Sequence, residues 1–168
     1  VKNKLTNIVF VGSLIKRKNV SQIIDLGAKF PGLNFHVIGD GNLLNILKEN
    51  ATENIKFYGK LNPLELSEVL QSMDFLFLPS RSEGFPKVIL EAASSGIPSI
   101  VYSDYGASEW INNGKNGFVV NEFKEVIEVV NRLLDDGNLL KSCSSEVVYL
   151  ADEFSWKNKI KVWEEEIN

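Results

Sequence analysis

Short runs of β-branched and aromatic residues alternate along this chain with helical patterns of about a dozen residues, which is typical of β-α units. Such units form a mainly parallel sheet, because each helix returns the chain to start the next strand in the same direction. The length of 168 residues corresponds to one domain with a sizeable core. The sequence therefore predicts an α/β fold in which one open, mainly parallel sheet carries helices on both faces.

Local signals indicate where the elements begin and end. Asn62 and Glu65 are three residues apart, a spacing that predicts a capping box at the start of a helix. Asn19 and Ser21 are candidate N-caps for the first helix, and Gly96 is expected to end the fourth. The predicted strands cover residues 8–12, 34–38, 55–58, 75–78, 99–102 and 118–120. The predicted helices cover residues 20–30, 42–50, 63–72, 86–95, 108–112, 122–134, 138–153 and 156–167.

The composition excludes several classes of site. A single cysteine, Cys143, cannot form an intrachain disulfide, and a single histidine, His36, leaves no partner for a Cys/His metal site or a Ser/His/Asp triad. Both residues are expected to be structural. The net charge of -4 disfavours a general nucleic-acid binder, and no apolar run approaches the ~20 residues that span a bilayer. The cytoplasm is the default expectation, since a lone thiol suits a reducing compartment.

Positive charge is concentrated near the start of the chain. Residues 1–24 carry five cations and no carboxylate, whereas the remainder carries 13 basic and 22 acidic groups. Lys16, Arg17 and Lys18 follow the first predicted strand directly. Ligands of an open parallel sheet bind at the carboxyl ends of the strands, so this position favours a site for a small anion such as phosphate. The alternative is a solvated basic loop.

The segment 79–98 carries most of the candidate chemistry. A polar loop with Arg81, Glu83 and Gly84 follows the fourth predicted strand and leads to Pro86 at the first position of a helix. The free amide groups of a first helical turn, together with the helix dipole, form an anion site, and Gly84 allows a ligand to approach the backbone. The amide groups expected to face the ligand belong to Phe85, Lys87 and Val88.

Glu91 interrupts the apolar run on this helix. A buried carboxylate needs hydrogen bonds, and the two vicinal hydroxyls of a ribose would supply them. The alternatives are a carboxylate on a solvent-facing stripe and one paired with a neighbouring lysine. Helix periodicity alone leaves these interpretations open.

Glu83 and Glu91 are separated by seven residues in the segment Ser-Glu-Gly-Phe-Pro-Lys-Val-Ile-Leu-Glu-Ala. This segment resembles the E-x7-E signature of retaining glycosyltransferase family 4, the "glycosyl transferases group 1" with the GT-B fold. Further similar segments cover nearly the whole chain, at residues 11–14 with Lys18, 38–41, 57–59, 72–80, 106–109, 113–118 and 154–156. The resemblance implies a Rossmann-like domain that forms the C-terminal, donor-binding half of a two-domain enzyme.

The resemblance also implies roles for individual residues. Glu91 would hold the ribose, while Glu83 and Lys18 would be the catalytic residues, beside the transferred sugar and the diphosphate. The family has an arginine directly after the glycine of the first loop, where this chain has Ser13, so one bidentate donor is missing, and the candidate replacements are Lys16, Arg17 and Arg81. The full set of implied donor-binding residues is Gly12, Ser13, Lys18, Gly39, Tyr58, Gly59, Lys60, Arg81, Glu83, Gly84, Phe85, Lys87, Val88 and Glu91.

The activity implied by the resemblance is transfer of a hexosyl unit from a nucleoside-diphosphate sugar to a glycan or lipid-linked acceptor, with retention of anomeric configuration. A UDP-sugar is favoured over a GDP-sugar, no metal or other cofactor is expected, and bacterial surface polysaccharide synthesis is the expected setting. The N-terminal acceptor domain is expected to be absent from residues 1–168, so the chain alone is expected to be inactive. Membrane contact, at the inner face, would be made through that absent half.

Two other functions remain open at this point. A non-catalytic nucleotide-sugar-binding module would bind the donor without transferring the sugar. A nucleotide-sugar epimerase of the same architecture would interconvert donor sugars without an acceptor. The lack of a second histidine disfavours the epimerase.

Overall fold

The computed structural model describes residues 1–84 and 87–154 of the chain. Its strands are β1 (Asn7–Val11), β2 (Asn34–Ile38), β3 (Ile55–Gly59), β4 (Phe75–Leu78), β5 (Ser99–Tyr102) and β6 (Gly117–Val120). They form one parallel sheet in the order β3-β2-β1-β4-β5-β6. This arrangement confirms the predicted Rossmann-like α/β fold.

Among the described residues, four α-helices connect consecutive strands and two follow β6. They are α1 (Ser21–Lys29), α2 (Leu44–Glu49), α3 (Pro63–Gln71), α4 (Lys87–Ser94), α5 (Phe123–Asp135) and α6 (Gly137–Glu153). The chain adds strands in one direction from β1 to β3 and in the opposite direction from β4 to β6. Because the crossovers share one hand, α1 and α2 cover one face of the sheet and α3 and α4 cover the other.

The central strands are buried on both faces, as their continuous apolar sequences require. All four residues of β4 and all four of β5 are buried. Helix α6 packs against α4, and its Cys143 is fully buried with the thiol 3.6 Å from the carbonyl oxygen of Gly114. Burial raises the pKa of this thiol to about 11, which agrees with the expected structural role.

Two of the predicted helix signals are confirmed. The side chain of Asn62 accepts hydrogen bonds from the backbone of Leu64 and Glu65, and Glu65 accepts one from the backbone of Asn62, which completes the capping box. Gly96 adopts a left-handed φ of 69° just after α4, a conformation that glycine adopts without a steric penalty.

The prediction that Asn19 or Ser21 caps the first helix is wrong. Asn19 adopts a left-handed φ of 52° and ends a short 3₁₀ turn at Lys16–Lys18. Val20 occupies the N-cap of α1, where no side-chain hydrogen bond is made, and Ser21 is the first helical residue. Helix α1 therefore begins at Ser21, one residue later than predicted.

The prediction of a helix at residues 108–112 is also wrong. Two 3₁₀ turns, Ser103–Tyr105 and Ala107–Glu109, follow β5 instead. Gly106 lies between them with a left-handed φ of 73°, which interrupts any continuous helix. The predicted helix at residues 156–167 lies outside the described residues. Within the described part of the chain, no helix is both long and apolar enough to span a membrane.

Candidate functional site

The strand order places a crevice between β1 and β4. The chain leaves β1 towards β2 on one side, and it leaves β4 towards β5 on the other. The two loops diverge at the carboxyl ends of these neighbouring strands, which is where open α/β sheets bind their ligands. The loop after β1 carries the Lys16–Lys18 turn, and the loop after β4 carries Glu83.

Lys18 and Glu83 meet across this crevice. The ammonium group of Lys18 donates a hydrogen bond to Oε1 of Glu83, and the two side chains are only 15% and 9% exposed. The structure thus brings together the two residues predicted to be catalytic, although they are 65 positions apart in the chain. A charge pair this poorly hydrated depends on its partner, since removing one charge would leave the other buried and uncompensated.

The loops after β1 and β4 are joined by further contacts around this pair. The guanidinium of Arg17 donates a 2.6 Å hydrogen bond to the carbonyl oxygen of Ser82 and lies 3.9 Å from Oε2 of Glu83. The Ser80 hydroxyl, which is buried, donates to the same Ser82 carbonyl at 3.2 Å. Arg17 is 54% exposed, so it remains accessible to an anion entering the crevice.

A cleft of about 530 Å³ opens at the carboxyl ends of β1, β2 and β3, on the same edge of the sheet. The predicted residues that line it are Gly12, Ser13, Gly39 and Lys60. The loops after β1 and β2 touch here through their backbones, with hydrogen bonds from Gly12 N to Ile38 O and from Leu14 N to Asp40 O, both 2.9 Å.

Gly39 is required by this close approach. Its φ is 136°, and a Cβ at this position would lie 1.9 Å from the carbonyl oxygen of Gly12. The amide of Gly39 also donates a 2.8 Å hydrogen bond to the carbonyl oxygen of Gly59, which has a left-handed φ of 72°. The two predicted glycines therefore hold the loops after three strands side by side.

A second groove, of about 300 Å³, continues from the cleft between α3 and α4. Leu61 and Leu66 line both spaces, and Glu91 lines the groove. Glu91 is exposed, and no lysine or arginine among the described residues forms an ion pair with it. The solvent-facing interpretation of Glu91 is therefore correct, and the carboxylate faces a groove in which it is available to a ligand.

Tyr58 is directed away from the cleft. Its hydroxyl lies 2.9 Å from Nδ1 of His36, whose Nε2 lies 3.1 Å from Oδ1 of Asn7. The amide oxygen of Asn7 accepts from Nδ2 of Asn34 and from Nε2 of His36, so the neutral imidazole carries its proton on Nε2 and accepts at Nδ1 from Tyr58. Burial, and then the charge of Lys56, lowers the pKa of His36, which has the structural role expected for it.

Arg81 is held on the opposite side of the crevice from the cleft. Its guanidinium forms an ion pair with Asp104 at 3.1 Å, donates a 3.0 Å hydrogen bond to the carbonyl oxygen of Asn121, and stacks 4.2 Å from the ring centre of Tyr102. These contacts join the loops that follow β4, β5 and β6. The structure therefore does not bring Arg81 to the position left by Ser13.

The loop that carries Glu83 is followed along the chain by α4. Gly84 is exposed, and a Cβ added there would meet nothing within 4 Å, so this part of the loop is open to a ligand. Lys87 is exposed and Val88 is partly buried in the first turn. Phe85 and Pro86 lie outside the described residues.

Sequence reasoning missed Tyr105, which lies three residues beyond β5 at the same edge of the sheet. Its hydroxyl is buried and has no hydrogen-bond partner among the described residues. Burial, and then the carboxylates of Glu83 and Asp104, raise the pKa of this hydroxyl, so it remains protonated. The position after a strand end was the signal that could have identified it. Leu61, Leu66 and Asp40, which line the cleft, were also not predicted from the sequence.

The described residues contain no cluster of three or more His, Cys, Asp or Glu side chains that could hold a metal ion. Positive charge at the crevice is instead supplied by Arg17 and Lys18. The arrangement can bind an anion at the two basic residues and present a carboxylate to hydroxyl groups in the adjoining groove.

Comparisons with known proteins identify the family and the fold. The family model for glycosyl transferases group 1 matches residues 1–147. An uncharacterized glycosyltransferase of Methanocaldococcus jannaschii is 30% identical over 167 residues, which cover 94% of this chain and 47% of the relative. The UDP-Gal:alpha-D-GlcNAc-diphosphoundecaprenol alpha-1,3-galactosyltransferase of Escherichia coli is 33% identical over 127 residues, or 70% of this chain and 33% of the relative.

Among solved structures, the C-terminal domain of a glycosyl transferase group 1 family protein from Francisella tularensis has the same fold. The TM-score is 0.78 at 22% identity, and the match covers 89% of this chain and 85% of that domain. The chain spans about half the length, or less, of the curated relatives named above.

Proposed function

The chain belongs to the group 1 glycosyl transferases, and we propose that it is the C-terminal, donor-binding domain of a retaining family 4 enzyme with the GT-B fold. In this proposal a nucleoside-diphosphate sugar, with a UDP-sugar favoured over a GDP-sugar, binds across the crevice and the adjoining groove. The whole enzyme transfers a hexosyl unit to a glycan or lipid-linked acceptor with retention of configuration. Its setting is the synthesis of bacterial surface polysaccharide.

The observation that carries this proposal is the continuity of three chemically distinct features at one sheet edge. The Lys18–Glu83 pair and the glycine-lined cleft both lie at the carboxyl ends of the strands, and the groove with Glu91, which forms no ion pair among the described residues, shares Leu61 and Leu66 with the cleft. The diphosphate of the donor needs cations, its ribose needs a hydrogen-bond acceptor for two hydroxyls, and the leucine side chains provide an apolar surface for the base. A nucleoside-diphosphate sugar has parts of all three kinds.

The proposed chemistry uses the fixed charges of the crevice. The bond between the anomeric carbon and the phosphate oxygen breaks, and its electron pair passes to the diphosphate, whose negative charge increases. Lys18, Arg17 and the amide groups at the start of α4 stabilise that charge without a metal ion. The acceptor hydroxyl forms the new carbon–oxygen bond and gives its proton to the departing phosphate oxygen, while Glu83 lies beside the transferred sugar.

The acceptor site belongs, in this proposal, to a separate N-terminal domain. The chain spans 47% of its Methanocaldococcus relative, and its fold matches a domain that is C-terminal in the Francisella protein. The E. coli relative, whose name specifies a UDP-Gal donor and a diphosphoundecaprenol acceptor, supports the donor class and the surface-polysaccharide setting. We infer that this chain alone binds donor but transfers no sugar, and that the whole enzyme works in the cytoplasm, with any contact at the inner membrane face made by the other domain.

Titration of the 168-residue chain with UDP, followed by calorimetry and by amide chemical shifts, tests the proposal. Glu91→Gln is expected to weaken UDP binding about tenfold to a hundredfold, because a hydrogen bond to a charged group contributes about 1.5–3 kcal/mol. Glu128→Gln, on the exposed face of α5, is the matched control and should bind like the parent. Absence of UDP binding, or equal binding by the Glu91 variant, would refute the assignment.

A further inference from the structure

Arg81 lies two positions before Glu83 in the loop after β4, and its guanidinium contacts three groups outside that loop. One nitrogen pairs with the Asp104 carboxylate, at 3.3 and 3.1 Å from its two oxygens, and the other donates a 3.0 Å hydrogen bond to the carbonyl oxygen of Asn121. The guanidinium carbon lies 4.2 Å from the ring centre of Tyr102. Because a guanidinium is planar and its donors form a rigid fork, these three contacts together fix its orientation.

The Arg81 contacts are poorly suited to stabilising the fold. The side chains of Arg81 and Asp104 are 47% and 35% exposed, and an ion pair this well hydrated contributes little to the free energy of unfolding. A planar group with several partners instead fixes the backbone segment that carries it. The effect of the Arg81 contacts is therefore expected at the residues that follow Arg81 in the loop.

Tyr102 connects Arg81 to the segment that carries Lys18. Its side chain is fully buried, and its hydroxyl donates a 2.9 Å hydrogen bond to Oε1 of Gln22 on α1. Gln22 follows Lys18 by four positions in the chain, and Arg81 stacks on the same ring. The segments that carry the two charges of the Lys18–Glu83 pair are thus both attached to one buried side chain of β5.

On its other side, the loop after β4 is held by groups that face the crevice. The carbonyl oxygen of Ser82 accepts a 2.6 Å hydrogen bond from Arg17, and the Glu83 carboxylate accepts one from Lys18. Arg17 and Lys18 are the cations that an entering phosphate would attract, so a ligand would share or displace both contacts. The contacts of Arg81 involve none of the residues that line the cleft, and ligand binding would leave them in place.

We propose that Arg81 is a positioning residue for Glu83. Its guanidinium holds the loop after β4 against the Tyr102 ring, so the Glu83 carboxylate keeps its place when Lys18 and Arg17 turn to an anionic ligand. The inference rests on the proposed function for what Glu83 is positioned against, which is the transferred sugar. The effect of Arg81 on the Lys18–Glu83 pair is a property of the ligand-free chain, and it is tested without UDP.

The test measures, by urea unfolding, how strongly Lys18 and Glu83 are coupled with and without Arg81. In the parent background, the unfolding constant of the Lys18→Met, Glu83→Gln double variant is expected to be about tenfold smaller than the two single variants together predict. In the Arg81→Met background this factor is expected to fall below about threefold, because the two side chains no longer meet in one fixed arrangement. An equal factor in both backgrounds would overturn the proposal, since a contact that served stability alone would change the stability and not the coupling.

Two further variants separate the geometry of the guanidinium from its charge and exposure. Arg132→Met removes another exposed arginine, whose guanidinium lies 5.7 Å from the ring centre of Phe118, and it should leave the coupling as in the parent. Arg81→Lys keeps a positive charge near Asp104 but loses the planar fork, so it should lower the coupling as Arg81→Met does. Full coupling in the lysine variant would contradict the role assigned to the guanidinium.

If Lys18→Met does not fold, backbone relaxation at the Glu83 amide in the Arg81→Met variant decides the question. An order parameter that falls from about 0.85 in the parent to below about 0.6 supports the anchor, and an unchanged value contradicts it. Absence of UDP binding to the parent chain would refute the proposed function, whereas the coupling measured without ligand would still decide the role of Arg81.

Discussion

Replacing Gly39 by alanine is expected to destabilise the domain where the loops after β1 and β2 touch. The added Cβ would lie 1.9 Å from the carbonyl oxygen of Gly12, whereas ordinary contact begins at 3.4 Å, so the loops would have to separate by about 1.5 Å, the difference between the two. That separation breaks the 2.9 Å hydrogen bond from Gly12 N to Ile38 O. The φ of 136° at Gly39 is also one that a residue with a side chain rarely adopts.

The magnitude follows from these two effects. A residue held in a sparsely populated backbone conformation costs about 1–3 kcal/mol, and overpacking costs about 1–3 kcal/mol more. The sum of about 2–6 kcal/mol is a large part of the stability of an ordinary domain. For a chain of this size each kcal/mol lowers the melting temperature by about 2–4 °C, so a decrease of about 4–24 °C is expected.

Thermal and urea unfolding, followed by circular dichroism, measure this change directly. Gly32→Ala is the matched control, because a Cβ at Gly32 would meet nothing within 4 Å and its φ lies outside the left-handed range. A surface substitution of this kind stays within about 0.5 kcal/mol of the parent. A Gly39→Ala variant as stable as the Gly32 variant would show that the loops after β1 and β2 do not touch as described.

Three further perturbations test separate parts of the structure. Lys18→Met is expected to destabilise the protein by up to about 3–5 kcal/mol in chemical unfolding, because it leaves the poorly hydrated Glu83 carboxylate with only the exposed Arg17 guanidinium, 3.9 Å away, as a cation. The double variant with Glu83→Gln should recover much of that loss, and additive losses would contradict the pairing. Lowering the pH below 6.5 should reduce the stability, since the pKa of His36 is lowered by folding and the unfolded chain binds the proton first. His36→Phe should remove this component of the pH dependence, because the chain has one histidine. Asn62→Ala should reduce the stability by about 1 kcal/mol, as expected for a lost helix cap, and a thermal scan that shows no change would contradict the capping box.

The elements that could be predicted from the sequence are those determined by local pattern. The bounds of β2, β4 and β5 agree with prediction to the residue, because short runs of apolar, aromatic and β-branched residues between turn signals leave few alternatives to a strand. The capping box at Asn62 is equally local, since both of its partners lie within one helical turn. The E-x7-E segment was recognised from adjacent residues, and the family match supports that recognition.

The failures were of two kinds. Asn19 has the composition of an N-cap, yet the 3₁₀ turn before it places it in a left-handed conformation, and this depends on how the Lys16–Lys18 segment packs against the loop after β4. Arg81 has the chemistry of a phosphate ligand, yet Asp104 and Asn121, which follow it by 23 and 40 positions, hold its guanidinium elsewhere. Neither outcome has a signal in the neighbouring sequence.

Taken alone, the sequence determined the order of strands and helices and the chemistry available at each strand end, because hydrophobic period and capping act over a few residues. Which of those side chains meet was decided by the tertiary structure. The pairing of Lys18 with Glu83 and the isolation of the Tyr105 hydroxyl arise because the strand order reverses between β1 and β4 and brings distant loops to one edge. Charge pairs and buried groups of this kind form only when the folded sheet brings these loops together.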